Sequence, residues 1–97
     1  MIEIRKTKTF QAWMQGLRDD EARNRIEMRL ERLSNGNPGS HRVLQGGICE
    51  LKVDYGPGYR VYYTEHRGKL VLLLCGGDKR TQAQDIGRAH ALAAKLD

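Results

Sequence analysis

Long apolar segments are missing from this 97-residue chain. Its longest apolar run spans only residues 70–75, whereas a membrane-spanning helix needs roughly 20 such residues. The first residues contain no apolar stretch of the length found in signal peptides. We therefore expect a cytoplasmic protein that does not enter a membrane.

Metal ligands and catalytic nucleophiles are scarce as well. The two cysteines, Cys49 and Cys75, lie in apolar segments without the Cys-x-x-Cys spacing of a zinc site. We expect buried thiols, with a disulfide between neighbouring strands as the alternative. The histidines, His41, His66 and His90, are scattered, and no Ser or Cys has a plausible base beside it. The sequence therefore predicts no metal and no cofactor.

Positive charge is what the chain has in excess. Seventeen Lys and Arg against twelve Asp and Glu give a net charge of +5, which favours a polyanionic partner. The basic residues divide almost evenly between the two halves, so a basic patch must be assembled by folding. The length is that of one globular domain, which we place at residues 1–97.

Hydrophobic periodicity predicts a strand and two helices in the first part of the chain. Ile2 and Ile4 alternate with charged residues, as in a half-buried strand. A helical repeat of apolar residues follows over residues 8–18, and a second one begins after Asp19 and ends at Asn35-Gly36. The expected core residues of this helical hairpin are Phe10, Trp13, Met14, Leu17, Ala22, Ile26, Leu30 and Leu33.

The remainder of the chain predicts three strands and one helix. A β region begins at residues 43–44, and strands at 48–54, 59–64 and 69–75 form an antiparallel meander. A Thr81-x-x-Gln84 capping box opens a last helix, whose thin apolar stripe is Ile86, Ala89, Ala93 and Leu96. The order β-α-α-β-β-β-α indicates an α+β fold, in which the hairpin packs on one face of an antiparallel sheet and a helix follows at the C-terminal end.

Strand alternation predicts which side chains lie on the face away from the helices. Glu50, Lys52 and Asp54 point to that face from one strand, and the next strand adds Arg60, Tyr62 and Thr64. We expect this face to be open.

A basic loop follows the neighbouring strand, at residues 76–80, so that Lys79 and Arg80 reach the same face. Cations around Tyr62 suit RNA, because Lys and Arg bind phosphate oxygens and an aromatic ring stacks on an unpaired base. The alternative is neutralisation, in which Glu50, Asp54 or a cross-strand acid pairs with Lys52, and Asp78 pairs with Lys79 or Arg80.

Two segments of the chain, residues 50–63 and 72–82, resemble a known family. Their Gly-Tyr-Arg-Val-Tyr-Tyr and Leu-Cys-Gly-Gly-Asp-Lys motifs are similar to those of the addiction-module killer, or HigB-like, branch of the RelE/ParE toxin superfamily. The resemblance implies the toxin of a bacterial type II toxin–antitoxin system. It further implies a metal-independent endoribonuclease that cuts messenger RNA on the ribosome, and a small helix-turn-helix antitoxin bound to it as a hetero-oligomer.

The same resemblance implies roles for individual residues. Arg60 and Arg80 match positions that stabilise charge on the phosphoryl oxygens, and Lys52 lies near a lysine that acts as a base in some relatives. Lys79 and Tyr62 are the expected RNA-binding residues. The chain has no aromatic residue in 82–97, where RNA-cleaving relatives often carry a tyrosine, so Tyr62 would take its place.

Two other functions fit the same fold. A ParE-like toxin inhibits DNA gyrase without cleaving RNA, and a non-catalytic binding domain would cleave nothing. The messenger ends left in a translating extract distinguish these possibilities.

Overall fold

A computed structural model describes residues 1–95. Within them the chain forms β1 (Glu3–Lys6), α1 (Lys8–Gly16), α2 (Asp20–Ser34), β2 (His41–Val43), β3 (Ile48–Val53), β4 (Tyr59–His66), β5 (Leu70–Asp78) and α3 (Gln82–Ala94). The predicted α+β fold is confirmed, with β2 as an additional strand. Among the described residues, none of the helices has the length and hydrophobicity needed to cross a membrane.

The strands form one sheet in the order β1-β5-β4-β3-β2. Strands β2 to β5 follow one another as antiparallel neighbours, and β3 to β5 form the predicted meander. β1 instead pairs in parallel with β5, so the sheet is mixed and differs from the prediction in this one pairing. The alternation of Ile2 and Ile4 indicates a strand, but it contains no information on that strand's partner or direction.

Side-chain caps fix where the two hairpin helices begin. Thr7 accepts a hydrogen bond from the N–H of Phe10 at 3.0 Å, and Asp19 accepts from the N–H groups of Glu21 and Ala22. These caps satisfy donors that have no partner inside a helix. α1 ends at Gly16, two residues before the predicted end.

The hairpin packs on one face of the sheet, which we call the hairpin face. Its buried core is Phe10, Met14, Ile26, Leu30, Leu33, Leu51, Val53, Val61, Tyr63, Val71 and Leu73. Trp13 and Leu17 are half-buried and pack against this core, and Ala22 is buried as well. The predicted helical stripes therefore do form the core.

The opposite face, which we call the α3 face, lies under the last helix. Ile48, Tyr62, Leu74 and Cys75 are buried there against Ala89 of α3. The prediction that this face is open was therefore wrong. A thin, alanine-rich stripe looks like a weak contact in a sequence, yet small side chains allow a helix to pack closely on a sheet. The predicted stripe residue Leu96 lies outside the described residues.

Two glycines predicted in a loop, Gly76 and Gly77, lie inside β5 instead. A Cβ on Gly76 would overlap the Trp13 ring on the hairpin face, and a Cβ on Gly77 would overlap the Asp85 carboxylate on the α3 face. Both faces are thus packed against the backbone here. The glycines allow close approach, which extends β5 to Asp78.

Candidate functional site

Neighbouring strands bring the predicted cations to one end of the sheet. Lys52 on β3 lies opposite Arg60 on β4, and Lys79 and Arg80 follow β5 directly in a short 3₁₀ turn, Lys79–Thr81. An ideal Cβ on Gly58 would lie 3.6 Å from Arg60 Nη1 and 3.7 Å from Lys79 Cβ. Arg60 and Lys79 therefore flank the β3–β4 turn. We call Lys52, Arg60, Lys79 and Arg80 the cationic cluster.

Arg60 is a largely buried member of the cationic cluster. Its side chain is only 13% exposed, with Nε 3.8 Å from Glu50 Oε2. Nη1 donates to the Gly58 carbonyl oxygen at 3.4 Å. Nε is buried and has no hydrogen-bond partner among the described residues. The guanidinium is thus largely enclosed, and little of it faces solvent.

Glu50 is a buried carboxylate beneath the cationic cluster. Its side chain is fully buried, and Oε1 accepts from Arg42 Nε at 2.9 Å, while Oε2 accepts from Gln82 Nε2 at 2.8 Å. Burial alone would raise its pKa, but the hydrogen bonds from Gln82 and Arg42 outweigh burial, and the pKa lies below the ordinary value. Glu50 is therefore ionised at neutral pH.

The sequence placed Glu50 only as a possible partner of Lys52. What it missed is that α3 would cover this carboxylate and that Arg42 and Gln82 would bind it. The available signal was only an acidic residue on the polar side of the alternation, which Glu50 shares with Lys52 and Asp54. Strand pattern alone cannot tell such a residue from a solvated one.

Tyr62 is not available to stack on a base in this structure. Its side chain is fully buried under α3, and its hydroxyl has no hydrogen-bond partner among the described residues. Burial and the neighbouring Glu50 raise its pKa well above the ordinary value for tyrosine. The exposed position predicted for Tyr62 was wrong because the helix covers it. Tyr59, at the same end of β4, is half-buried and packs edge-on against Trp13.

The turn with Lys79 and Arg80 is held by side chains at its two ends. Asp78 Oδ1 accepts from the N–H of Arg80 at 2.8 Å, and the Thr81 hydroxyl donates to the Asp85 carboxylate. The capping box pairs Asp78 with Thr81. The predicted box of Thr81 with Gln84 does not form, because Thr81 makes no side-chain cap on α3.

The members of the cationic cluster differ in how far they are neutralised. Arg80 is exposed and forms an ion pair with Asp78, with 3.0 Å between Nη2 and Oδ2. This pairing lowers the pKa of Asp78 and raises that of Arg80. Lys52 and Lys79 form no ion pair within residues 1–95. The neutralisation considered from the sequence thus occurs at Arg80 and not at the lysines.

Other reactive side chains lie apart from one another. Both cysteines are free, Cys75 buried and Cys49 half-buried. His41 and His66 are exposed on different strands. Within residues 1–95, no three His, Cys, Asp or Glu side chains come close enough to share a metal ion. A surface groove of about 780 Å³ lies between β1 and α2, and the cationic cluster contributes nothing to its lining.

Comparisons with known proteins place the chain in a family. Residues 12–94 match the model of phage-derived Gp49-like proteins. The chain belongs to this Gp49-like family. It is 46% identical over 95 residues to an uncharacterized protein of Haemophilus influenzae, covering 98% of this chain and 96% of that protein.

A solved structure shares the fold. This is a mutant of the E. coli toxin RelE in the free state, with a TM-score of 0.72 and 17% identity. The match covers 97% of this chain and 95% of the RelE chain. The Gp49-like family match and the shared fold support the RelE superfamily named from the sequence. The narrower HigB-like branch stays a prediction.

Proposed function

We propose that this Gp49-like protein is the toxin of a type II toxin–antitoxin system and cleaves messenger RNA on the ribosome. The observation that carries the proposal is the cationic cluster, which joins a largely buried arginine to exposed cations at one end of the sheet. The fold shared with a toxin, RelE, supports it further. The net charge of +5 suits a polyanionic substrate.

In the proposed reaction, a ribose 2′-hydroxyl attacks the adjacent phosphorus. The 2′-oxygen bonds to phosphorus while the bond to the 5′-oxygen breaks, which leaves a 2′,3′-cyclic phosphate. Lys52 is the base that takes the hydroxyl proton, and the leaving 5′-oxygen takes a proton from water. Arg60, Lys79 and Arg80 bind the phosphoryl oxygens, where negative charge increases in the transition state.

The contacts of each cation suggest how it meets phosphate. Arg60 is held at Nε and Nη1, so its remaining nitrogen, Nη2, is oriented before substrate arrives, which limits reorganisation during the reaction. Arg80 must exchange Asp78 for a phosphate oxygen. Lys79 has no ion pair to break within the described chain. RNA contact in this proposal depends on these cations, because Tyr62 is buried.

A translating extract tests the nuclease activity. We expect the purified protein to produce discrete new messenger ends, mapped by primer extension, and the double variant Lys79→Ala, Arg80→Ala to produce none. Both side chains are exposed, so the fold should be retained. The control is Lys69→Ala, an exposed lysine before β5 and roughly 30 Å along the strand from Lys79. Intact transcripts with the unsubstituted protein would contradict the proposal.

One observation favours the second candidate function, inhibition of DNA gyrase. The described part of α3 has no aromatic residue, and Tyr62 cannot replace one because it is buried. A toxin that does not cleave RNA needs no base-stacking ring. Loss of supercoiling by purified gyrase, together with intact messenger RNA, would select this function.

The proposed partner is a small helix-turn-helix antitoxin. An acidic antitoxin segment would be attracted to Lys52 and Lys79, which lack ion pairs within residues 1–95. Co-expression with the neighbouring gene should give a complex that Lys79→Glu weakens and Lys69→Glu does not. An unchanged affinity for Lys79→Glu would indicate that the antitoxin leaves the cationic cluster uncovered and inhibits by steric exclusion of the whole complex from its target.

A further inference from the structure

Glu50 contacts three different elements from beneath the cationic cluster. Its carboxylate binds Arg42 of β2 and Gln82 of α3 and forms an ion pair with Arg60 of β4. A carboxylate in a protein interior is costly unless partners compensate its charge. These contacts compensate it and also tie the three elements together.

We propose that Glu50 is a positioning residue that sets the orientation of Arg60 and fixes the start of α3 beside it. The effect of Glu50 on RNA cleavage is the only part of this inference that rests on the proposed function. Its structural part, the restraint of the Arg60 side chain by the Glu50 carboxylate, is independent of any substrate.

The contacts of Arg60 support this role. The guanidinium is planar, so fixing Nε and Nη1 determines where Nη2 points. Nη1 donates to the Gly58 carbonyl oxygen, and Nε faces Glu50 Oε2 at 3.8 Å. Because Nε is buried without a hydrogen bond among the described residues, Glu50 is the charge that compensates it. Without this carboxylate, the guanidinium loses the restraint on its inner side.

The second half of the role concerns α3. Gln82 is the first residue of that helix and directly follows the turn with Lys79 and Arg80. Its Nε2 donates to Oε2, the same carboxylate oxygen that faces Arg60. Glu50 Oε2 therefore contacts both Arg60 and the residue that follows Lys79 and Arg80, and so fixes the position of Arg60 relative to these two exposed cations. A purely structural role, holding β2 to β3, would depend on Arg42 and Oε1 instead.

Nitrogen-15 NMR of the Arg60 Nε–Hε group tests the restraint without any substrate. The signal is assigned by its loss in Arg60→Lys. We expect Glu50→Gln to speed exchange of this proton with water on the order of tenfold or more, because the opposing charge is gone. Gln82→Ala should also speed it, since Oε2 loses its fixed partner. Arg42→Ala, whose side chain is 49% exposed, is the matched control and should leave the exchange unchanged.

Cleavage kinetics in the same variants test the consequence. We expect Glu50→Gln and Gln82→Ala to lower kcat on the order of 10- to 100-fold with little change in KM, as when a reacting group is misplaced. Arg42→Ala should keep both values. If Glu50→Gln fails to fold, Gln82→Ala decides the question, because it keeps the charge and removes only the anchor on Oε2.

Two results would overturn the inference. One is an Arg60 signal that exchanges as slowly in folded Glu50→Gln as in the unsubstituted protein, or in Gln82→Ala where Glu50→Gln does not fold. The other is an equal effect of Arg42→Ala on exchange and kcat, which would indicate a general structural role. If the unsubstituted protein cleaves no RNA, the proposed function fails, and the NMR result still decides the role of Glu50.

Discussion

The two faces of the sheet are buried by different means. On the hairpin face, two helices cover aliphatic and aromatic side chains, and the charged residues that are buried within residues 1–95, Glu50 and Asp85, both lie on the other face. On the α3 face, one helix packs on Ile48, Leu74 and Tyr62, and this face also holds a buried carboxylate at Glu50 and a nearly buried Arg60. Apolar packing tolerates small shifts of side chains, whereas a buried ion pair requires its partners in place. The α3 face is therefore the one that can hold charges in fixed positions.

The largest expected effect tests the hairpin face. Phe10 is fully buried in its core, so Phe10→Ala should lower the free energy of unfolding by about 3–5 kcal/mol. Urea denaturation measures this loss. The control Gln11→Ala changes the next, exposed residue of α1 and should stay within about 0.5 kcal/mol. A small loss for Phe10→Ala would mean that α1 contributes little to the core.

The next effect tests the α3 face through the cationic cluster. Arg60→Ala and Arg80→Ala should each lower cleavage on the order of 100- to 1,000-fold, as loss of one oxyanion donor does. Only Arg60→Ala should also destabilise the fold, because it leaves Glu50 with less compensation for its charge. Parallel urea curves and primer-extension rates separate the two consequences. A fully active double variant would contradict the assignment of this site.

The hairpin face was also the more predictable one from sequence. Phe10 and Met14 recur at helical spacing in α1, and Ile26 and Leu30 do so in α2. Such apolar stripes predict burial of one helix face against a sheet. The meander was equally readable, since short turns join alternating strands. The parallel pairing of β1 was not, because it depends on where the chain returns after the meander.

The α3 face could be predicted only in part. Alternation placed Glu50, Lys52, Arg60 and Tyr62 on one face correctly. It could not show that α3 would cover part of that face, because an alanine-rich stripe predicts a helix without its docking position. Hence the fold brings the cations together as expected. The burial of Tyr62 and the partners of Glu50, Arg42 and Gln82, were not predicted.

Two adjacent glycines allow a direct comparison of packing on the two faces. A Cβ at Gly76 meets Trp13 on the hairpin face, and a Cβ at Gly77 meets Asp85 on the α3 face. Each alanine substitution should destabilise the fold by about 1–3 kcal/mol through overpacking. Thermal unfolding measures both.

The control for these substitutions is a third glycine, in α3. Nothing lies within 4 Å of a Cβ at Gly87, so Gly87→Ala should stabilise the fold by about 0.5–1 kcal/mol through helix propensity. If Gly77→Ala behaves like Gly87→Ala, then Asp85 yields easily and the α3 face is less tightly packed than the hairpin face.

The smallest expected effect is the pH dependence that Glu50 confers. Its pKa is lower in the folded protein than the ordinary value of 4.5 expected for the unfolded chain. The unfolded chain therefore binds this proton more readily, and the stabilisation is present above pH 4.5 and is lost as the pH falls through the folded pKa. Asp78 acts in the same direction because Arg80 lowers its pKa. The contribution of Glu50 is therefore obtained as the difference in pH dependence between the unsubstituted protein and Glu50→Gln. Urea midpoints from neutral to acidic pH should fall less steeply for Glu50→Gln than for the unsubstituted protein. Equal slopes for the two proteins would mean that Arg42 and Gln82 stabilise the carboxylate no better than water does.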